Sequence, residues 1–281
     1  MIRIHRGPEP SKLSKLRNQE LPKLRKIARR RSLVTSDIAG YQIVGVDLWR
    51  AQYYKCCYCE HKIKKEYNDV EHYRPKICAD RRPGCKTKYG YWWLSFSWEN
   101  LLFACPSCNR TNKNVRFPLC LGDVPLRIGD APPGRERPCL IDPSARVNPV
   151  QHIQFVYSTM KSSASGPGGK QWFARPRNGS VRGALTIDIC GLNDGSLLEL
   201  RKDHVDELVR PQVRALNVSL ARSVSRLGIR SVQSEFDRAR GMFAPQSPYA
   251  ALTYDAFRHF VPNIALAQWG LTWPPPRKVG R

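Results

Sequence analysis

Two Cys-x-x-Cys pairs, Cys56/Cys59 and Cys105/Cys108, bracket a stretch that carries an acid and a histidine side by side, Glu71-His72, and an asparagine, Asn100; a second asparagine, Asn109, follows the last cysteine. Four thiolates in two such pairs can close a tetrahedral site on one Zn²⁺, the ligand set of a structural site with no open position. Cys57 lies between the first two ligands, so a Cys57/Cys59 pairing is open, but the two-residue spacer suits a zinc knuckle better and points to Cys56. A bare zinc ribbon would explain the cysteines and leave Glu71, His72, Asn100 and Asn109 without a reason. An imidazole of ordinary pKa is largely neutral at pH 7 and able to take a proton from water. His72 is therefore a candidate general base, which phosphodiester hydrolysis requires together with a cation to stabilise the developing charge.

The order C-x-x-C, acid-His, Asn, C-x-x-C-Asn resembles the HNH endonucleases, whose ββα-metal site carries these marks in this sequence. Asn109 occupies the third position, where many members have histidine. The resemblance implies a catalytic set of His72, Glu71, Asn100 and Asn109, with Asn100 tying the loop that carries His72 to the second strand. Glu71 and Asn109 would offer oxygen ligands to one catalytic divalent ion, and two hard oxygens plus waters and a phosphate oxygen suit Mg²⁺ or Mn²⁺ better than zinc. Arg74 and Lys76, close to the histidine, are candidates for phosphate contacts. So is Lys113, four residues after Asn109 and on the same helical face.

These groups need elements to hold them. A short helix over 46–54, with Leu48, Trp49 and Ala51 turned inward, leads into the first knuckle, and residues 68–74 read as the strand that carries Glu71 and His72. The stretch 78–90, rich in Arg, Lys, Pro and Gly, reads as a mobile basic insertion. Tyr91-Trp92-Trp93-Leu94-Ser95-Phe96-Ser97-Trp98 could stack on unpaired bases, but tryptophans beside a small zinc module are better read as its core. Leu13, Leu16, Leu24 and Ile27 share a helical face in the basic N-terminal forty residues, which also hold Arg29-Arg30-Arg31.

After Pro118 the composition changes. Residues 121–137 read as a linker or long loop, Ile153–Tyr157 as a strand with Trp172-Phe173 as its partner, and Ser162–Gly169 as a flexible tip. Ser196 is expected to cap a helix whose face Val213, Leu216, Leu220, Val224 and Leu227 continue. The fold class is thus α+β, in three parts: a basic N-terminal arm (1–45), a zinc-pinned nuclease core (46–120) and a mainly helical C-terminal domain (121–281).

A formal net charge of +24 over 281 residues calls for a polyanion, and nucleic acid fits best. There is no apolar run long enough for a membrane span and no secretory signal, so the ten cysteines are read as thiols and metal ligands in a reducing cytoplasm. Cys78, Cys85, Cys120, Cys139 and Cys190 are expected to be ordinary buried or free thiols. Arg6-Gly7-Pro8-Glu9-Pro10, Leu140-Ile141-Asp142-Pro143 with His152, Thr186-Ile187, Gly191-Leu192-Asn193 and Leu200-Arg201 resemble the HNH nucleases of Septu-type and retron-associated phage-defence systems. That resemblance implies an effector that cleaves DNA, or RNA as the alternative substrate, with a separate ATPase partner docked through the region after residue 121. The competing reading is a zinc-stabilised nucleic-acid-binding module without catalysis.

Overall fold

The computed structural model describes residues 1–82, 85–87, 89–159, 169–222 and 226–274. Its sheets are three separate antiparallel pairs, surrounded by helices. Met1, Ile2 and Ile4 run extended into the core, and the Ile4 N–H donates to Pro143 O at 2.7 Å. Helix α1 (Ser11–Ala28) then sinks Leu13 and Leu24 and leaves Leu16 and Ile27 half-buried, so the leucine spacing does mark its inner face. The arm is docked: the Arg6 guanidinium donates to the carbonyls of Trp98, Leu101 and Glu99, while Arg17 pairs with Glu9 and reaches Phe96 O.

Helix α2 (Gly45–Ala51) buries Leu48 and ends at Gln52, whose amide acts as one more strand residue. Gln52 Nε2 donates to Phe103 O at 2.7 Å and Oε1 accepts the Phe103 N–H at 2.8 Å. Phe103 belongs to β4 (Leu101–Ala104), which is apolar throughout and buried on both faces. It pairs with β1 (Asp69–His72) in the register Asp69↔Ala104, Val70↔Phe103, Glu71↔Leu102 and His72↔Leu101. A π-helical turn, Ser107–Lys113, follows β4 directly and starts inside the second cysteine pair. The stretch 78–90, expected as a mobile insertion, instead supplies a hairpin of β2 (Ala79–Arg82) and β3 (Cys85–Thr87). The aromatic run Tyr91–Trp98 is core, with Tyr91, Trp92, Trp93, Phe96 and Trp98 all buried.

Beyond residue 121 the two expected strands form as β5 (Ile153–Thr159) and β6 (Lys170–Pro176); the tip expected at Ser162–Gly169 lies outside the described residues except for Gly169. Helices α3 (Val181–Ile189), α4 (Gly195–His204), α5 (Arg210–Leu220), α6 (Arg226–Gly241), α7 (Ala250–Phe260) and α8 (Asn263–Ala267) complete the chain, with a π-helical turn, Val205–Val209, joining α4 to α5. Two expectations need correction. Asp194, not Ser196, precedes α4 as its cap residue. The Val213 to Leu227 stripe does not lie on one helix: α5 ends at Leu220, α6 begins at Arg226, and Leu227 is exposed. Val213 and Leu216 are buried as expected, and Val224 is outside the described residues. No described helix is long and apolar enough to cross a membrane.

One core cluster extends from Met1 to Trp273 and includes three of the four knuckle cysteines, so the arm, the cysteine-bearing part and the later helices share their buried surface. The 121–137 loop, which contains no helix or strand, sends Glu136 inward. That carboxylate accepts from Arg74 Nε at 2.8 Å, from the Tyr91 hydroxyl at 2.6 Å and from the Leu126 N–H at 3.1 Å. Arg74 and Glu136 are both almost wholly buried. Removing one partner of such a pair leaves the other charge uncompensated, so Glu136→Ala should lose about 3–5 kcal/mol of stability. The double change Arg74→Met/Glu136→Leu should recover most of that loss. Urea denaturation of the three proteins measures it, and a loss below about 1 kcal/mol for Glu136→Ala would mean water already compensates the pair.

Candidate metal centre and active site

Cys56, Cys59, Cys105 and Cys108 bring their sulfurs within 4.8 Å of one another. The first pair sits in the turn after α2 and the second at the mouth of the π-helical turn; the Cys57 N–H bonded to Phe103 O at 3.0 Å locks the two halves together. A tetrahedral zinc with bonds of about 2.3 Å holds its sulfurs about 3.8 Å apart. Cys59 and Cys105 stand at 4.0 Å, so the residues fit the ion. Cys57 is buried but outside the cluster, so it is Cys56 that groups with Cys59, Cys105 and Cys108.

The surroundings also ask for a cation in the middle. The hydrogen bond with Cys105 pushes the Cys59 and Cys108 thiols well above their usual range, while Cys56, against the effect of burial, is held well below it by hydrogen bonds with its cysteine neighbours. Four thiolates at this spacing require a shared positive ion. Zn²⁺ with four thiolates would carry a net charge of −2, and Arg201 of α4 would oppose it. This arginine is fully buried, lies over the Phe155 ring at 4.8 Å, and has Nε and Nη2 without a protein hydrogen-bond partner. Burial lowers its pKa to about 10, while the charges of Cys59, Tyr249 and Cys108 hold it up.

Residues far along the chain clamp the first knuckle. Glu60 is buried, accepts the Ala251 N–H at 3.2 Å and pairs with the Met1 ammonium at 2.6 Å. Its backbone carbonyl takes the Tyr249 N–H, His61 Nδ1 shares a hydrogen bond of 2.8 Å with the Tyr249 hydroxyl, and Lys55 Nζ donates to Pro245 O and Ser247 O. Glu60, Lys55, Arg201 and Tyr249 are functional-site neighbours that spacing did not reveal. Only the Leu200-Arg201 family mark touched one of them.

On β1, alternation puts Asp69 and Glu71 on one face and Val70 and His72 on the other. The π-helical turn lies along the first of these faces. One helical turn (about 5 Å) nearly matches two strand residues (about 7 Å), so Asn109 meets Asp69 and Lys113 meets Glu71. Asn109 Nδ2 donates to Asp69 Oδ2 at 3.1 Å, where Arg110 also binds. Lys113 Nζ sits 2.5 Å from Glu71 Oε1, donates to His72 O at 3.0 Å and is fully buried. Lys113 was expected at the surface on a phosphate; it shares a face with Asn109 as anticipated, but that face is turned inward. Arg74, also expected on phosphate, is likewise buried against Glu136. Burial raises the Glu71 pKa, with Lys113 and the Tyr58 hydroxyl opposing.

This arrangement does not fit Mg²⁺ or Mn²⁺ on Glu71 and Asn109. An ammonium already sits against the Glu71 carboxylate, and although Asn109 donates through Nδ2 to Asp69 and keeps its Oδ1 free, that leaves one neutral oxygen and no free carboxylate for the ion. Apart from the four cysteines, no group of three or more His, Cys, Asp or Glu comes together as a ligand set among the described residues.

His72 stands on the opposite face, buried, with its ring edge-on to Tyr41 at 4.5 Å. Its Nε2 lies 3.0 Å from Ser95 O. A carbonyl can only accept, so Nε2 carries the proton and Nδ1 is the free acceptor. Burial first, then the nearby charge of Lys76, lowers the His72 pKa to about 3, so the ring is neutral throughout the physiological range. Lys76 lies 4.1 Å from the centre of the Tyr41 ring, donates to its hydroxyl at 2.7 Å and is partly exposed. Its own pKa falls to about 8, mainly through burial. Asn100 bridges the loop after His72 to β4: Oδ1 accepts the Arg74 N–H at 2.8 Å, and Nδ2 donates to Arg74 O and Leu94 O.

Three further features bear on the site. Gly191, with φ +58°, ends α3 against the π-helical turn; a Cβ there would meet the Asn112 amide at 2.3 Å, and Asn112 in turn donates to Asp194 Oδ2 at 2.7 Å. Cys190, buried, lies close enough for its titration to feel Lys113 and Glu71. Cys120 and Cys139, expected as unrelated thiols, are neighbours with sulfurs 3.0 Å apart, beside the Leu119↔Pro138 bridge.

Curated relatives of this chain come from Bacillus mycoides (strain KBAB4). Septu protein PtuB is 30% identical over 169 residues, which cover 58% of this chain and 51% of that protein. Septu protein PtuA is 31% identical over 149 residues, covering 52% of this chain and 18% of that protein. The chain therefore spans about half the length of the first relative and under a fifth of the second. No protein-family model and no solved structure matches it.

If four sulfurs hold zinc, Cys105→Ser should lose the metal and with it the fold, because binding energy at a structural site is folding energy. Elemental analysis and circular dichroism on the purified variant measure both. A folded, fully zinc-loaded Cys105→Ser protein would overturn the four-cysteine assignment.

Proposed function

We propose that this chain is an HNH-type endonuclease that hydrolyses phosphodiester bonds of DNA as an effector of anti-phage defence. The observation that carries the reading is His72: a neutral imidazole with its tautomer set by Ser95 O, on the strand paired with the one that leads into the second cysteine pair, in the order of residues the HNH nucleases use. Relatives bearing the Septu name support the defence role.

In this reading, water adds to the phosphorus while Nδ1 of His72 takes its proton. The phosphorus–oxygen bond to the leaving group breaks, and that oxygen gains a proton from solvent. Lys76, partly exposed and mainly charged at pH 7 even with its lowered pKa, meets the phosphate. Asn100 is a positioning residue, fixing the loop from Arg74 to Leu94 around the histidine. Arg74 and Lys113, engaged with Glu136 and Glu71, hold the frame. The Mg²⁺ or Mn²⁺ implied by the resemblance receives no step, because Lys113 stands where it would bind.

We further propose an ATPase partner docked on the helical part. Leu200, Leu208, Val218, Leu227 and Ile229 are exposed on α4, the π-helical turn after it, α5 and α6, and these apolar side chains are the candidates for the contact. Since the core is continuous, this is better tested by surface changes than by truncation.

Plasmid nicking by the purified protein tests the reading. Wild type should cleave, and His72→Ala should fold, keep its zinc and lose cleavage by a factor of about 10² or more. EDTA that leaves the zinc in place asks whether a second ion enters: cleavage that stops and returns with Mg²⁺ or Mn²⁺ means substrate opens the Glu71–Lys113 pair, while full cleavage in EDTA removes the second ion. Preference for an RNA substrate would move the target to RNA. Tight binding without cleavage of either nucleic acid would leave the non-catalytic binding module as the better account.

A further inference from the structure

The tryptophans that pack beside the site leave an opening. A cleft of about 340 Å³ is lined by Arg25 and Arg29 of α1, by Trp92 and Trp93, and by Ile128 and Gly129. That volume falls in the range of about 300–1,000 Å³ typical of small-ligand sites. The two indoles stand nearly perpendicular, with centroids 6.1 Å apart and 84° between planes. Each keeps about 8% of its surface exposed. Across from them, Arg127–Asp130 forms a turn closed by the Asp130 N–H on Arg127 O at 3.0 Å, with Gly129 at φ +96°, the left-handed position that a type II turn gives to glycine. Trp93 Nε1 donates to Asp130 O at 2.9 Å, which fixes this turn against the indole and holds Ile128, 62% exposed, on the far wall.

The charge is equally unspent. Arg25 and Arg29 are exposed, and among the described residues neither guanidinium has an ion-pair partner or lies over an aromatic ring. Arg25 suits the carbonyl end of α1, but that preference does not bring guanidinium groups to a wall made of indoles. Aromatic edges, one exposed aliphatic side chain and two free guanidiniums make a site for a flat apolar ring attached to anions. The chain also ties the cleft to the candidate base. Trp93 is two residues from Ser95, whose carbonyl orients His72, and two residues span at most about 7 Å. Stacked nucleotides advance about 3.4 Å each, so the cleft lies within a few nucleotides of a phosphate at His72.

We infer that this cleft takes one unpaired nucleobase of the strand being cut, between the Trp92/Trp93 wall and Ile128, with Arg25 and Arg29 on the adjacent phosphates. The assignment rests on the nuclease reading for its ligand and extends it to a substrate class: single-stranded or locally opened DNA. A base inside an intact duplex would have to leave its stack to enter, which costs free energy that an unpaired base does not.

Binding separates this inference from catalysis. The His72→Ala protein, intact otherwise, is titrated by fluorescence anisotropy with a labelled oligothymidylate, with the same oligomer carrying abasic positions throughout, and with a blunt duplex of equal length. The oligothymidylate should bind about 5- to 100-fold more tightly than the abasic strand, the range expected for base stacking. Ile128→Asp, a change on an exposed wall, should erase most of that difference. Arg25→Ser/Arg29→Ser should weaken both single strands and steepen neither salt slope. Equal affinity for the base-bearing and abasic strands, or a preference unmoved by Ile128→Asp, would overturn the inference and leave only general phosphate attraction. If the base-dependent binding is found and the wild-type protein cuts nothing, the cleft stands and the nuclease reading fails; if the wild type cuts but the bases make no difference, the cleft alone fails.

Discussion

Four sulfurs crowded within 4.8 Å of one another make the constraint on which the other parts depend. Such a group is strongly unfavourable as bare thiolates and strongly favourable around one dication, so the segments that carry it are held as firmly as a cross-link would hold them. Those segments are the turn after α2 and the entry to the π-helical turn, and between them they fix where β4 begins and where β1 must lie. The charge that such a filled centre would carry has a counterpart in Arg201, buried over the Phe155 ring with two nitrogens that no protein group satisfies. Metal, arginine and strand order are therefore one arrangement.

Around that centre, charges inside the protein are handled in pairs. Lys113 meets Glu71, Arg74 meets Glu136, and the Met1 ammonium meets Glu60. His72 stays neutral, because burial opposes its protonation. The two faces of β1 thus have different chemistry. One is occupied by salt bridges that hold the fold, and the other presents a ring whose proton position is set by a backbone carbonyl. A strand can separate the two tasks over a single peptide bond because adjacent side chains point in opposite directions.

Much of this was legible in the residues. The cysteine spacing picked out the four residues whose sulfurs cluster, the Glu-His pair lay on a strand, and the tryptophan run formed the core. The β5/β6 pair also fell where alternation of apolar residues put it. What stayed hidden depends on partners distant in the chain. Nothing near Arg74 announces that its carboxylate is Glu136, 62 positions away, in a loop whose composition suggests only a linker. Lys113 follows Asn109 with helical spacing, but spacing does not say whether that face meets solvent or β1. The break between α5 and α6 was missed because the apolar stripe keeps helical period across it, while Leu227 turns outward.

The clamp on the first knuckle has a consequence in time as well as in space. Glu60 is satisfied by the backbone of Ala251, and its neighbours Lys55 and His61 by Pro245, Ser247 and Tyr249. During synthesis nearly two hundred residues separate the emergence of the first cysteines from the emergence of that clamp. Until then the nascent chain holds two buried-type charges, Lys55 and Glu60, with no interior to receive them. The first knuckle therefore reaches its final packing only after the segment from Pro245 to Ala251 has emerged, long after its own cysteines.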